Sequence, residues 1–129
     1  MPKSKLDHAT LAFASISELN AALTNKEISS VELTEFFGKR LEKIGPEYNA
    51  LALSLLKEGK KTAKEADAEI KRERYRGPLQ GIPYAVKDLI SVAGYPTTWG
   101  AKPYADQVFD EDATVVTRLA GKSADPSRH

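Results

Sequence analysis

The residue in this sequence with the clearest chemical potential is Lys87, which follows a short apolar run in the stretch GIPYAVKDLI (residues 81–90). A neutral lysine can accept a proton from a nearby hydroxyl, and a serine within reach then becomes a nucleophile. Burial favours the neutral form because the ammonium group loses its hydration. The alternative is that Lys87 ends a strand, with its stem on apolar surface and its ammonium group in water. The residues alone leave both interpretations open.

A different lysine completes the pattern Ser54-Leu-Leu-Lys57. This pattern matches the S-x-x-K motif of penicillin-recognising serine enzymes, in which the lysine activates the serine. The partner motifs S-D-N and K-T-G are absent from the sequence, and Ser54 falls in a predicted strand. Because so short a match arises readily by chance, we do not assign catalysis to Ser54.

Acidic residues crowd one loop and raise the question of a site for a hard cation: Asp106, Asp110, Glu111 and Asp112. Their spacing lacks the glycine and the twelfth-position glutamate of a calcium loop. A solvated loop that ends in a helix N-cap at Asp112 explains them. The two histidines, His8 and His129, lie near opposite ends of the chain with no partner at ligand spacing. We therefore predict no metal site.

The basic run KEGKKTAKEADAEIKRERYR (residues 57–76) could indicate RNA binding. Its acidic residues, however, are interleaved at the spacing of helical pairs, which neutralises the local field and stabilises the helix. Tyr75 is the one aromatic residue in this run on which a base could stack. The formal net charge of +1 gives no bulk attraction to nucleic acid or to a membrane surface. We predict a solvated helix face and no nucleic-acid or membrane partner.

The elements that must position these residues begin with two helices. Ser15 and Ser29 each precede a glutamate by three residues, which is the pattern of a capping box. The first helix is expected to end near Asn25 and the second at Gly45-Pro46. The residues expected to face the core are Leu19, Ala22 and Leu23 in the first helix, and Leu33, Phe36, Phe37, Leu41 and Ile44 in the second.

Two further helices are predicted downstream. Residues 57–74 form a polar helical pattern that ends at Gly77-Pro78, and Asp112 is expected to cap a last helix. The apolar stripes are Ala63, Ala66 and Ile70 in the third helix, and Val115, Val116 and Leu119 in the last.

Two segments predict strands. YNALALSLL (residues 48–56) alternates three leucines, although its alanine and leucine content leaves a helix possible, and residues 81–90 form the second strand. The order helix, helix, strand, helix, strand, helix predicts an α/β fold, with a parallel strand pair joined by a right-handed crossover. Two such strands leave an open apolar edge. We therefore expect the opening part of a larger sheet domain, with possible self-association through that edge.

Composition limits the class of protein. The chain has 129 residues, 41% hydrophobic and 29% charged, which fits a single globular domain. There are no cysteines, so disulfides and thiolate metal sites are excluded. No segment reaches the roughly 18 apolar residues of a membrane span, and the N-terminal residues lack the features of a secretory signal. We expect a cytoplasmic location.

The stretch GPLQGIPYAVKDLISVAGYPTTWGA (residues 77–101), followed by DATVVTRL (residues 112–119), resembles the N-terminal part of the amidase signature family. LAFASISELNAALTNKEISSVEL (residues 11–33) looks like the leading helices of that family. The resemblance implies that residues 1–119 are the N-terminal part of an amidase domain with a mixed sheet. Residues 120–129, AGKSADPSRH, form a polar tail without a counterpart.

The resemblance also implies a chemistry. The family hydrolyses or transfers amide nitrogen through a Ser–cis-Ser–Lys triad, and its lysine stands in the VKD block, which maps onto Lys87. No metal or organic cofactor is implied. The glycine- and serine-rich segment of the family, which carries both serines, has no counterpart in this sequence. We therefore expect a truncated amidase, a hydrolase of a small carboxylic amide, that is inactive alone.

Two other functions stay open at this point. One is a fragment of the A subunit of a tRNA-dependent amidotransferase, although LISVAGYPTTWGA (residues 89–101) looks closer to free-standing amidases. The other is a non-catalytic interaction module, whose open sheet edge pairs with a partner chain.

Overall fold

The computed structural model describes residues 7–120 and divides the chain into two compact units, Met1–Pro83 and Tyr84–His129. The regular structure of residues 7–120 is helical. The helices are α1 (His8–Phe13), α2 (Ile16–Thr24), α3 (Ser30–Ile44), α4 (Leu56–Lys71) and α5 (Thr114–Leu119), with short 3-10 helices at Gly45–Tyr48 and Lys102–Tyr104. None of the helices within these residues is both long and apolar enough to cross a membrane.

The starts of α2 and α3 lie where the sequence predicts them. The hydroxyl of Ser15 accepts from the amide of Glu18 at 3.1 Å, and the Glu18 carboxylate accepts from the Ser15 amide at 2.8 Å. Ser29 and Glu32 repeat this arrangement at 3.0 and 2.9 Å. Each pair satisfies two amides that have no partner within the first helical turn. Both capping boxes are confirmed, and both helices end at the predicted positions.

The start of α3 is also held by residues that are distant in sequence. The carboxylate of Asp67, in α4, accepts from the amides of Ser30 and Val31 at 2.6 and 3.1 Å. The hydroxyl of the buried Ser30 donates to the carbonyl of Gly81 at 2.6 Å. A carboxylate at a helix N-terminus satisfies orphan amides and interacts favourably with the helix dipole. These bonds join α3, α4 and the segment that follows α4.

The core of the first unit is built from one face each of α1 to α4. The thin stripe predicted for α4 is confirmed, because its three members are buried. α4 packs along α3, and Gly38 leaves room for the Leu56 side chain, since a Cβ atom there would lie 2.3 Å from Cδ1 of Leu56. The buried apolar cluster comprises Leu11, Leu19, Ala22, Leu23, Ile28, Leu33 and Ile70, with Phe36, Phe37 and Ile82 packed against it.

α4 ends before its predicted stop at Gly77-Pro78. The amide of Glu73 donates to the carbonyl of Ile70 at 3.0 Å, and the amide of Arg74 donates to that of Glu69 at 2.9 Å. Glu73 has a φ of +58°. This pattern is a Schellman-type helix end in which glutamate takes the left-handed position usually given to glycine.

The strand predicted over residues 48–56 is wrong for the described structure. Tyr48 ends a 3-10 helix, Asn49 is left-handed with φ +51°, and Leu56 already belongs to α4. Leu53, which the strand pattern expected to be buried, is 48% exposed. The residues between Asn49 and Leu56 form an irregular connection from α3 to α4.

The second predicted strand, residues 81–90, is also absent, and with it the parallel pair. Within residues 7–120 no strand is formed, and an isolated antiparallel bridge joins Pro96 to Val108. A parallel strand needs neighbours to take up its amides and carbonyls, and the described residues supply none. The α/β sheet is therefore not found here, and neither is the open edge on which the predicted self-association depends.

The second unit is held by hydrogen bonds between loops. Thr97, which is 2% exposed, donates its amide to the carbonyl of Gln107 at 2.8 Å, and the Gln107 side chain donates to the Thr97 carbonyl at 3.0 Å. The amide of Gly94 donates to the carbonyl of Phe109 at 3.1 Å. These bonds bring the two arms of the long loop together on either side of the Pro96–Val108 bridge.

The predicted N-cap at Asp112 is wrong. α5 follows Ala113 as its N-cap residue, and no side chain caps it. The carboxylate of Asp112 instead accepts from the amide of Ala93 at 2.8 Å, because the loop folds back over this position. Of the three apolar residues expected to share one face, Val116 is buried, whereas Val115 and Leu119 are exposed. The predicted polar tail, apart from Ala120, lies outside the described residues.

We predict that Asp67→Ala lowers the free energy of unfolding by about 2 kcal/mol, because two amides at the start of α3 lose a charged acceptor. The measurement is urea denaturation followed by circular dichroism. Glu65→Ala is the matched control, since Glu65 is an exposed carboxylate on the same helix and should change stability by less than about 0.5 kcal/mol. Equal midpoints for the two variants would contradict this role of Asp67.

Candidate active site

Lys87 lies in an irregular segment that leads from Tyr84 into a tight turn. Its side chain is exposed, and its carbonyl accepts from the amide of Ile90 at 2.9 Å. No ion pair within residues 7–120 involves Lys87. The described part of the chain therefore leaves the ammonium group accessible, and the catalytic role of Lys87 stays a prediction.

The neighbour of Lys87, Asp88, is fixed by its surroundings. Its carboxylate accepts from the amide of Thr98 at 2.9 Å and also from the Thr98 hydroxyl. Its carbonyl accepts from the amide of Trp99 at 3.1 Å. We call this set of three hydrogen bonds the Asp88 clamp. Because it ties residue 88 to residues 98 and 99, it closes the intervening loop directly beside Lys87.

The clamp also sets the electrostatics of Asp88. Hydrogen bonds from the Thr98 hydroxyl and amide stabilise the carboxylate and hold the pKa of Asp88 below its usual range. The Thr98 hydroxyl in turn accepts from the amide of Gly100 at 3.2 Å. Asp88 thus acts as an ionised acceptor for the loop and does not pair with a described lysine or arginine.

Trp99 has an unusual backbone for a bulky residue, with φ at +54°, and Gly100 follows at +71°. The indole is 45% exposed. Its ring centroid lies 4.8 Å from that of Tyr104 and 6.1 Å from that of Phe109. We call these three side chains the Trp99 ring cluster. A single left-handed tryptophan is sparsely populated because its Cβ crowds the backbone.

Sequence reasoning missed the clamp and the ring cluster. Asp88 was visible as the residue that follows Lys87, but its hydrogen-bond donors lie ten residues on, and no local spacing rule links them. The sequence signal available for this region was the presence of Pro96 and Gly100 in YPTTWG, which predicts a turn. It does not predict which side chains the turn brings together.

The other candidate sites are not assembled in the described structure. The hydroxyl of Ser54 donates to the Glu42 carboxylate at 2.5 Å, and Lys57 is exposed. Within residues 7–120 no group of three or more His, Asp or Glu side chains could hold a metal ion. The basic run forms much of α4, where Lys60 pairs with Glu35 at 3.5 Å.

With this geometry in place, the comparisons with known proteins decide the family. The sequence profile of the Amidase family matches residues 32–126, which is most of the chain and includes Lys87 and the Asp88 clamp. This chain belongs to the amidase family. The resemblance seen in the sequence is confirmed.

Individual relatives carry two kinds of name. The chain is 40% identical over 106 residues to the A subunit of the glutamyl-tRNA(Gln) amidotransferase of Dechloromonas aromatica, a match that covers 82% of this chain and 22% of that protein. It is 33% identical over 111 residues to the acylamidase of Rhodococcus erythropolis, covering 86% and 23%. It is 32% identical over 120 residues to the putative amidase AmiD of Mycobacterium tuberculosis, covering 93% and 25%. The chain thus spans about a quarter of the length of these amidase relatives.

We predict that the carboxyl of Asp88 titrates below the ordinary value of about 3.9, and that Thr98→Val raises its pKa toward that value because one donor is lost. A carbon-detected NMR titration of the carboxyl group measures both. Because the folded-state pKa is depressed, the stability that Asp88 contributes is present above its unfolded-state pKa. It is lost as pH falls through the folded-state value.

The Asp88→Asn variant provides the corresponding stability test. Its melting temperature should fall less than that of the parent between pH 7 and the acid limb, since the titrating carboxylate is gone. An Asp88 pKa that does not respond to Thr98→Val would show that the clamp is not formed in solution.

Proposed function

We propose that this chain is the N-terminal part of an enzyme that cleaves a small carboxylic amide, with Lys87 as the proton carrier. The observation that carries the proposal is the position of Lys87. It lies within the matched range of the amidase family and directly precedes the clamped Asp88.

In the proposed reaction the lysine transfers a proton. A neutral Nζ of Lys87 accepts the proton that a nucleophilic serine loses, through a second serine, and returns it to the leaving amine. Such a lysine must be kept neutral by surroundings that remove its ammonium group from water. Residues 7–120 leave Lys87 exposed. We therefore propose that the residues that would bury it belong to the part of the amidase relatives that has no match in this chain. The sheet of the family would also be completed there.

Four of the five serines described in the first unit already have other tasks. Ser15 and Ser29 cap helices, Ser30 donates to Gly81, and Ser54 donates to Glu42. This engagement supports the expectation that the 129-residue chain alone releases no ammonia from an amide. The cytoplasmic location expected from the sequence stays a prediction.

We predict that Lys87→Ala and Lys87→Arg each lower kcat/KM by roughly 10³-fold or more, as loss of a triad member does. Arginine fails as well because its guanidinium stays protonated. The assay measures ammonia release by a chimera in which this chain replaces the matched 23% of the Rhodococcus erythropolis acylamidase.

Lys102→Ala is the matched control, because Lys102 is an exposed lysine of the same unit and should retain activity. Circular dichroism checks that each variant is folded. A folded Lys87→Ala chimera with parental activity would disprove the proposed role. It would favour the alternative of a non-catalytic interaction module.

A second candidate function is amide-nitrogen transfer within an amidotransferase. It is favoured by identity, since the A subunits of four glutamyl-tRNA(Gln) amidotransferases are 38–44% identical to this chain. The acylamidase and AmiD are 32–33% identical. These values point away from the preference for free-standing amidases drawn from residues 89–101.

We predict that the two candidates separate in a host comparison. The chain is placed in the matched region of the acylamidase and, separately, in that of the amidotransferase protein from Dechloromonas aromatica. Each chimera is assayed for the activity of its host. The host that keeps the larger fraction of its own activity is the one whose surroundings fit this chain. A much larger retained fraction in the acylamidase host would contradict the transfer function.

A further inference from the structure

The backbone of Trp99 is held in a conformation that suits glycine better than tryptophan. Its φ of +54° is an outlier for a large side chain, and glycine is the next residue in the chain. If the turn alone mattered, a smaller residue would fit it with less strain. Strained residues of this kind persist where surrounding structure over-determines them, and they cluster at functional sites.

The strain places the indole at the surface. Trp99 is 45% exposed and Tyr104 is 42% exposed, and the indole contacts Tyr104 and Phe109 at centroid distances of 4.8 and 6.1 Å. The interplanar angle between Trp99 and Phe109 is 34°. The Trp99 ring cluster therefore offers an aromatic surface of three rings that is only partly covered. Such a surface binds another ring by stacking or by edge contact.

The cluster is connected to Lys87 by the clamp. The amide of Trp99 donates to the carbonyl of Asp88 at 3.1 Å, and Asp88 directly follows Lys87. Consecutive Cα atoms are about 3.8 Å apart, so the backbone of Trp99 lies within a few ångströms of the Lys87–Asp88 peptide. The same hydrogen bonds thus hold the backbone of Trp99 close to the backbone beside Lys87.

From this arrangement we infer that the Trp99 ring cluster binds the aromatic group of the amide substrate and sets a preference for aryl amides over small aliphatic amides. The inference rests on the proposed function of Lys87 and adds the substrate class to it. An aromatic group held against the indole positions its amide next to Lys87, whereas an aliphatic amide has no ring to stack.

The test uses the acylamidase chimera described above, with benzamide and acetamide as probe substrates. Trp99→Gly removes the ring and suits the left-handed backbone. We expect it to lower the ratio of kcat/KM for benzamide to that for acetamide by about tenfold, mainly through a higher KM for benzamide. Trp99→Phe should keep the ratio within about threefold of the parent, because a ring remains.

Two further variants separate binding from structure. Tyr104→Leu removes a supporting ring without changing the strained residue, and should shift the ratio in the same direction by a smaller factor. Tyr48→Ala removes an aromatic side chain of the first unit that is 75% exposed, and should leave the ratio unchanged.

The outcomes are distinguishable. An unchanged ratio in a folded Trp99→Gly chimera, or equal losses for both amides, would overturn this inference and leave the role of Lys87 standing. A folded parent chimera without activity toward either amide, or a Lys87→Ala chimera with full activity, would overturn the proposed function and this inference with it.

Discussion

Two backbone amides at the start of α3 have no partner within their own helix, and the carboxylate of Asp67 accepts from both. The first unit depends on this interaction because it fixes where α4 lies along α3 and so which faces of the two helices meet. The adjacent Ser30 hydroxyl extends the constraint to Gly81. One helix start therefore holds both α4 and the segment that follows it within the first unit.

The second unit also has backbone amides that need acceptors, and it has fewer buried apolar side chains than the first. α5 has only one buried residue, Val116, so the long loop is held mainly by polar bonds. The Asp88 carboxylate organises one end of it, and the Asp112 carboxylate organises the other by accepting from Ala93. In both units a carboxylate satisfies backbone amides that the local chain leaves open. Removing such a carboxylate lowers the free energy of unfolding by more than an ordinary surface contact would raise it, because the amides are left without an acceptor.

What could be predicted follows from how local each signal is. Ser15 and Ser29 reveal helix starts because both partners of each capping box lie within one turn. The leucine alternation in residues 48–56 failed as a strand signal, because a strand exists only where another strand accepts its hydrogen bonds. The role of Asp112 could not be predicted either, because the amide that it binds, that of Ala93, is distant in sequence. Family membership was predictable because ordered blocks of residues carry it. The strained Trp99 was not, because its amide bonds to the carbonyl of Asp88, which is distant in sequence.

The chain has one tryptophan, and its position allows the two units to be followed by different optical signals. Trp99 belongs to the second unit, whereas α1 to α4, which hold most of the described helical residues, belong to the first. Intrinsic fluorescence therefore reports on the loops around Lys87, and the far-ultraviolet dichroism reports chiefly on the helices before Pro83. Coincident transitions by the two probes would indicate one cooperative unit, whereas separated transitions would indicate that the helical part keeps its order after the loops around Lys87 have lost theirs.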